Sequence, residues 1–335
     1  MIFPGNSQIT GVGSFIPKQA VSSVDILEDL KTESRLGIPS TWMDDHLGIV
    51  SRRYCEEDDI SSDISTIAAL RALDDAGIEP KDLNAILYCG ITGDFIEPGT
   101  AHVIQHNLGA SDAICKDVKN ASHGFCDGIF FADMMIREGA EHILVVTAET
   151  TKVGRLSQRA LTEIHSPALF FERLSMLAVG DAAGAMILST RPSPDVGIKL
   201  FSTVSTGNAS DLYFYDVDLG VLQGSMKAEE TQAVMFEQLV EQLDDSLEQA
   251  NWSKDEVQSF VMHQVGKNMF NKMKQVAGFT SAQTPKTYEQ YGDITTATLP
   301  INLELIKANR GATSQKLSLF SGGGGIVTTW VFVDY

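Results

Sequence analysis

Four short segments carry side chains that could do chemistry, and each lies where a strand would end. The first is Asp117-Val118-Lys119-Asn120-Ala121-Ser122-His123-Gly124-Phe125. It reads as the end of a strand turning into an apolar helix that runs from about Ser122 to Arg137. A small polar residue at the start of a buried helix lies in the helix dipole, beside free N–H groups. Such a place suits a nucleophile; it also suits an ordinary N-cap serine. The second segment ends in His263-Gln264, where a histidine is either a general base or a satisfied structural residue. The third is Tyr291-Gly292-Asp293, whose aspartate reads equally as an N-cap. The fourth, Gly322 to Gly325, offers bare N–H groups. No Lys-Ser or Lys-Thr follows those glycines, so a phosphate-binding P-loop is excluded. Asn120 stands where a G-x-S-x-G nucleophile elbow needs its first glycine.

The elements that must position these segments alternate between strand and helix. Strands are expected at Ile9–Phe15, Ala85–Cys89, Ile143–Ala148 and Ala185–Ser189. Between them lie helical patterns at Ser23–Leu30, Ser62–Ala76 and Gly99–Leu108, with a turn at Pro80-Lys81-Asp82. In the first-segment helix, Gly124 and Gly128 are four apart and share a face, which lets another backbone approach closely. The stretch from Thr150 to Val179 holds Arg155, Arg159, His165 and Leu169-Phe170-Phe171, and reads as a cap or interface segment. Pro192 and Pro194 mark a boundary. A second pass follows: strand Ile198–Thr206, an amphipathic helix Thr231–Ala250 with an acidic face, strand Phe260–His263 and helix Gly266–Val276. Helix Ile294–Asn309 and strands Leu317–Phe320 and Ile326–Val333 complete it. This alternation predicts α/β layers. The comparable order of elements in residues 1–190 and 191–335 predicts a duplication.

Bulk properties narrow the function. A chain of 335 residues with 43% hydrophobic content can build a substantial core. No apolar run reaches the ~20 residues of a membrane helix, so no membrane span is expected. Met1 to Phe15 lacks a basic stretch followed by an apolar core, so no export signal is expected either. Cys55, Cys89, Cys115 and Cys126 are scattered and form no CxxC pair, which argues for a reduced cytoplasmic setting and against a metal site. A formal charge of −19 argues against nucleic acid as a partner.

Taken together, the segments resemble the ketoacyl synthase III (3-oxoacyl-ACP synthase III) family of the thiolase superfamily. Ile9 to Pro17 (ITGVGSFIP) is similar to its opening strand. Trp42 to Arg52 (WMDDHLGIVSR) is similar to its early Trp…Gly-Ile-x-x-Arg segment. Gly180 to Ala185 (GDAAGA) is similar to its GDGAGA. His263-Gln264, Tyr291-Gly292-Asp293 and the closing glycines match its other signatures. The resemblance spans the chain from Ile9 to the C-terminus. It implies a thiolase-like duplicated α/β fold, layered with buried central helices.

The resemblance also implies roles. The family's nucleophile is a cysteine, and that position is Ser122 here. Its histidine corresponds to His263, and its asparagine to Asp293. A serine hydroxyl needs a general base, which His263 can supply, and a carboxylate can orient that histidine and stabilise its imidazolium. An ionised aspartate has no donor for a thioester enolate, whereas asparagine has. The expected activity is therefore acyl transfer from an acyl carrier protein or coenzyme A thioester, through acyl-Ser122, to a hydroxyl, amine or thiol. A role in secondary metabolism or starter-unit loading fits that chemistry. The alternatives are a decarboxylative 3-oxoacyl-ACP synthase and a catalytically silent partner subunit. The N–H groups of Ser122 and Gly324 (or Gly323) are expected to form the oxyanion hole. Trp42 and Arg52 match residues at the family's substrate tunnel. Glu97, before Pro98, falls where relatives carry an apolar pocket residue, which argues against a long fatty acyl chain. Lys267, Lys272 and Lys274 lie where the family docks its carrier protein, in a stretch without acidic residues. His123 reads as pocket lining or structural, and Cys126 as core. No permanent cofactor is expected, and a homodimer is.

Overall fold

Ala85–Tyr88 and His142–Glu149 are buried on both faces and mostly apolar, as strands must be when helices cover both sides of a sheet. They lie fourth and third in a five-stranded sheet ordered Ser7–Phe15, Ala182–Thr190, His142–Glu149, Ala85–Tyr88, Ile114–Asp117. A second five-stranded sheet runs Ile2–Pro4, Gly197–Ser205, Val327–Asp334, Lys316–Gly323, Ser259–Met262. The computed structural model describes residues 1–150, 161–218, 221–280, 282–310 and 315–335.

The two sheets repeat one pattern. In each, the first long strand pairs antiparallel with the last, and the last pairs antiparallel with the one before it. That strand then pairs parallel with a short buried one. In the first sheet Ile114–Asp117 adds a further parallel strand, and in the second a bridge from Ser259 to Gln283 takes its place. Ile2–Pro4 crosses to the edge of the second sheet, so the chain's first residues tie the halves together.

Helices Gly124–Arg137 and Thr298–Arg310 fill the space between the sheets. Phe125, Ile129 and Ala132 from one, and Leu299, Leu303 and Ile306 from the other, share a core with Val145, Leu188, Leu319 and Val331. Helices Ser61–Ala76 and Thr100–Leu108 cover the outer face of the first sheet. Ala228–Ala250 and Lys267–Ala277 cover the outer face of the second. The result is a layered, thiolase-like α/β fold with buried central helices.

Gly124 and Gly128 show why the central helix can lie so deep. A Cβ at Gly124 would stand 2.7 Å from the Cys89 carbonyl oxygen, and one at Gly128 would stand 2.4 Å from Cys89 Sγ. Asp133, buried on the same helix, is satisfied by the Asn6 and Ser7 amides (2.7 and 2.8 Å) and the Ser7 hydroxyl (2.6 Å).

The structure differs from the sequence reading in several places. The central helix begins at Gly124, not Ser122, because Ala121 turns into the left-handed region (φ 48°) and breaks the helical path. The element expected from Ile294 begins as a 3-10 turn, Thr295–Ala297, with the α-helix starting at Thr298. A hairpin of Tyr213–Asp218 and Val221–Met226 was not foreseen. Within the stretch read as a cap, Pro167–Arg173 and Ser175–Ala178 are short helices, while Arg155 and Arg159 lie outside the described residues.

Gly128→Ala tests the close approach. The added methyl overpacks against Cys89 and Val145 by roughly 1–3 kcal/mol, and better helix propensity returns up to about 1 kcal/mol. Urea unfolding is expected to show a net loss of stability; an unchanged midpoint would mean the helix has room to spare.

Candidate active site

Ser122 is held from below by its neighbours. The Asp127 carboxylate accepts from Asn120 Nδ2 (2.6 Å) and lies 3.1 Å from His123 Nδ1. His123 Nε2 pairs with Thr329 Oγ1 at 2.9 Å, so this histidine is buried structure and does not line the cavity. A carboxylate in the first helical turn is favoured by the dipole. Together these contacts fix the turn on which Ser122 stands.

His263 follows the buried strand Ser259–Met262, and its amide donates to the Phe320 carbonyl at 3.1 Å. Gln264, also buried, spans to the next site segment. Its Oε1 accepts from the Thr287 amide (2.9 Å) and its Nε2 donates to the Pro285 carbonyl (2.8 Å). That staple fixes the approach to Asp293. The Asp293 amide donates to the Ala178 carbonyl at 2.7 Å, and its own carbonyl accepts from the Gly180 amide at 3.0 Å.

Ser122, His263, Asp293 and Gly322 to Gly324 line one cavity of about 220 Å³. His263 Nε2 lies 3.9 Å from Asp293 Oδ1, which also accepts from the Thr295 amide at 2.9 Å. His263 Nδ1 is buried without a hydrogen-bond partner. The hydrogen-bonded relay that the residue types suggested is therefore not formed. The carboxylate faces the same ring nitrogen that opens toward the cavity, and acts on it through space. Burial pushes the Asp293 carboxyl upward, against the opposing pull of His263 and the Thr295 amide.

Close approach demands glycine at positions 323 and 324, whereas at 322 the flexible tip of Met235 can give way. A Cβ at Gly322 would meet Met235 Cε at 2.2 Å, one at Gly323 would meet His123 Cβ at 2.8 Å, and one at Gly324 would meet the Tyr213 ring at 2.4 Å. The remaining wall is mostly apolar: Phe171, Leu174, Met226, Met235, Met269, Met273 and Phe320. Sequence reading missed Tyr213 and these methionines. The alternating aromatic run Tyr213-Phe214-Tyr215 was a usable strand signal, but scattered methionines carry no motif.

The other expected residues lie around the cavity. Trp42 stacks on His46 (4.5 Å, 8°) and tilts against Phe171 (5.0 Å), so it stands one side chain outside the cavity wall. Arg52 is not at an opening. It is fully buried, donating to Ser23 Oγ at 3.0 Å, because residues 180 and 292 lack the side chains that would displace it. Glu97 is exposed, before a cis peptide to Pro98, and does not line the cavity of its own chain. Lys267, Lys272 and Lys274 lie on the helix whose Met269 and Met273 wall the cavity. None of the three forms an ion pair among the described residues, and Lys272 Nζ lies 4.2 Å over the Phe236 ring. Cys126 is buried, and burial holds its thiol far above its ordinary range, which makes it a poor nucleophile. Among the described residues there is no cluster suited to a metal ion.

Residues 116–207 match the family described as 3-oxoacyl-[acyl-carrier-protein (ACP)] synthase III, and residues 247–335 match its C-terminal part. The chain belongs to this synthase III family. It is 29% identical over 328 residues to the beta-ketoacyl-[acyl-carrier-protein] synthase III of Geobacillus kaustophilus, covering 96% of each chain. It is 28% identical to the synthase III of Oceanobacillus iheyensis, covering 97% of each. A variant of OleA from Xanthomonas campestris superposes with a TM-score of 0.91 at 25% identity, and FabH from Xanthomonas oryzae with 0.90 at 26%; both matches cover 100% of each chain. As a synthase III family member, the chain is a thiolase-superfamily enzyme of the acyl-transfer and condensation kind. No helix among the described residues is long and apolar enough to cross a membrane.

Behind Asp293 lies a second buried carboxyl, Glu149, which burial lifts from 4.5 to about 7. Raised in the folded state, it contributes stability that is complete below about pH 4.5 and lost as pH rises to about 7. Glu149→Gln removes that titration. The stability of the wild type relative to Glu149→Gln is expected to fall by on the order of 3 kcal/mol across this window. Denaturant unfolding at both ends measures it, and a constant difference would overturn the assignment.

Proposed function

We propose that this enzyme moves an acyl group from an acyl carrier protein or coenzyme A thioester, through an acyl-Ser122 ester, to a hydroxyl, amine or thiol. Secondary metabolism or starter-unit loading is the setting this chemistry fits. The observation that carries the reading is the convergence of Ser122, His263 and Asp293 with the glycine run on one cavity, in a family whose corresponding residues are cysteine, histidine and asparagine.

In the first step Ser122 Oγ attacks the thioester carbonyl while His263 Nε2 takes its proton. The oxyanion is met by the Ser122 and Gly324 N–H groups. The carbon–sulfur bond breaks, and the leaving thiolate takes the proton back from His263. In the second step the acceptor attacks the acyl ester, gives its proton to His263, and Ser122 leaves reprotonated. Asp293, 3.9 Å from Nε2, lowers the cost of each imidazolium. The apolar wall of Phe171, Leu174 and the methionines takes the acyl chain.

Lys267, Lys272 and Lys274 offer an acidic carrier protein a basic helix, and Trp42 with His46 and Phe171 offers the thioester arm a flat aromatic edge. A homodimer is supported by the free edge of strand Ile114–Asp117 and by exposed Phe95, Ile96, Ile114, Phe131 and Met134. Glu97, outside its own cavity and beside Phe95 and Ile96, contributes to substrate binding in this arrangement from across the interface. Ile114→Lys is expected to shift the protein to monomer in light scattering; an unchanged mass would remove that edge from the interface.

A decarboxylative 3-oxoacyl-ACP synthase is the second reading, and one observation favours it. Burial moves Asp293 toward its protonated form, which carries a donor as asparagine does. A silent partner subunit is disfavoured by the retained histidine in the cavity.

Mass spectrometry after incubation with a panel of acyl thioesters separates these readings. The expected result is an acyl mark on Ser122 and no carbon dioxide from malonyl thioester. Ser122→Ala should lose at least ~10³-fold in turnover. Carbon dioxide release would favour condensation. No mark with any donor, with Ser122→Ala as active as the wild type, would overturn the nucleophile.

A further inference from the structure

Glu149 ends the central strand His142–Glu149, is 2% exposed, and has no part in the steps above. Its Oε1 accepts from Thr296 Oγ1 at 2.5 Å and from the Ile91 amide at 3.2 Å. Thr296 Oγ1 also lies 2.5 Å from Thr147 Oγ1 on the same strand as Glu149. Both threonines are buried, so this hydroxyl pair has no water to fall back on.

Thr296 is three residues beyond Asp293, and the turn between them is strained. Thr295 holds φ at 40°, in the left-handed region that β-branched residues avoid, yet its amide must face back to reach Asp293 Oδ1 at 2.9 Å. Such a conformation persists only where the surroundings over-determine it. The Asp293 backbone is fixed on one side by Ala178 and Gly180. On the other side the turn is fixed by Thr296, and Thr296 by Glu149.

We propose that Glu149 is a positioning residue for this site: it pins the strained Thr295 turn so that Asp293 faces His263, and its proton decides how much negative charge the His263–Asp293 pair works beside. The inference rests on the acyl-Ser122 reading. The titratable groups facing Glu149 among the described residues are Asp293 on the turn and Tyr88 on the neighbouring strand, whose hydroxyl donates to the Ala148 carbonyl at 3.2 Å; His263 stands behind Asp293. No lysine or arginine among the described residues forms an ion pair with Glu149, so its ionised form is not neutralised locally. Burial keeps its proton until about pH 7. Above that, a second negative charge beside Asp293 disfavours the Asp293 anion, and the His263 imidazolium loses its stabiliser.

The test follows acetylation of Ser122 by p-nitrophenyl acetate, a donor with little to recognise, as intact-protein mass between pH 5.5 and 8.5. Glu149→Ala should acetylate roughly 10–100-fold more slowly at every pH, with an unchanged dependence on donor concentration. Thr296→Val, which leaves Glu149 in place and cuts the link, should show the same loss. Glu149→Gln should stay within about twofold of the wild type at pH 6, and its rate relative to the wild type should climb through pH 7. Wild-type rates in both Glu149→Ala and Thr296→Val would overturn the positioning role. A constant ratio of Glu149→Gln to wild type would overturn the charge role. If Glu149→Ala does not fold, Thr296→Val and Glu149→Gln decide both points. If the wild type itself is never acetylated, the acyl-serine reading fails and this inference falls with it. Acetylation of the wild type with unaffected variants sinks this inference alone.

Discussion

The site depends on a backbone crossing. Residues 178–180 and 291–293 pass so closely that Asp293 both donates to Ala178 (2.7 Å) and accepts from Gly180 (3.0 Å). A Cβ at Gly180 would lie 2.0 Å from the Tyr291 carbonyl oxygen, and one at Gly292 2.4 Å from that of Ala178. No side chain fits at either position, and Gly292 also needs the left-handed φ of 69° it adopts. This crossing joins the strand Ala182–Thr190 of one sheet to the helix Thr298–Arg310 between the sheets. It therefore sets the distance between the half that carries Ser122 and the half that carries His263 and Asp293.

The crossing also explains Arg52. Its Cβ sits 3.2 Å from the point where a Cβ of Gly180 or Gly292 would be, so the arginine packs behind the crossing. Burial there lowers its pKa from the usual value, and part of its guanidinium has no hydrogen-bond partner. A buried arginine is weak support for stability. Its methylene stem filling the space behind two glycines is the clearer contribution.

Much of this was legible in the residues because the signals are local. Apolar strands, helix-stopping glycines such as Gly77 and Gly109, and the order of short polar segments each mark their own position. The layered fold followed from their alternation. What could not be read depends on who meets whom. That Arg52 turns inward is decided by glycines more than a hundred residues away. That the His263 nitrogen facing the cavity also faces Asp293 is decided by the Gln264 staple and the Thr295 turn, not by residue type. The helix start moved past Ser122 because Ala121 adopts a conformation that propensity disfavours. Tyr213 and the four wall methionines come from four separate elements, and no spacing in the chain links them.

The strained positions share a logic. Ala121 (φ 48°) precedes Ser122 and Thr295 (φ 40°) follows Asp293 by two residues, and both are non-glycine residues in the left-handed region. Strain of this kind costs of order 1–3 kcal/mol and must be held by neighbours. Asp127 holds the first turn through Asn120 and His123; Glu149 holds the second through Thr296. In each case an acidic side chain, half-buried Asp127 or fully buried Glu149, braces the turn beside a cavity residue it does not touch. On the acyl-Ser122 reading proposed above, a serine nucleophile makes this arrangement necessary. A thiolate forms readily and tolerates a loosely placed base, whereas a hydroxyl reacts only while its base is within reach and its imidazolium is stabilised. On that reading, replacing a cysteine by serine in this family shifts the demand from the nucleophile to the turns that place His263 and Asp293.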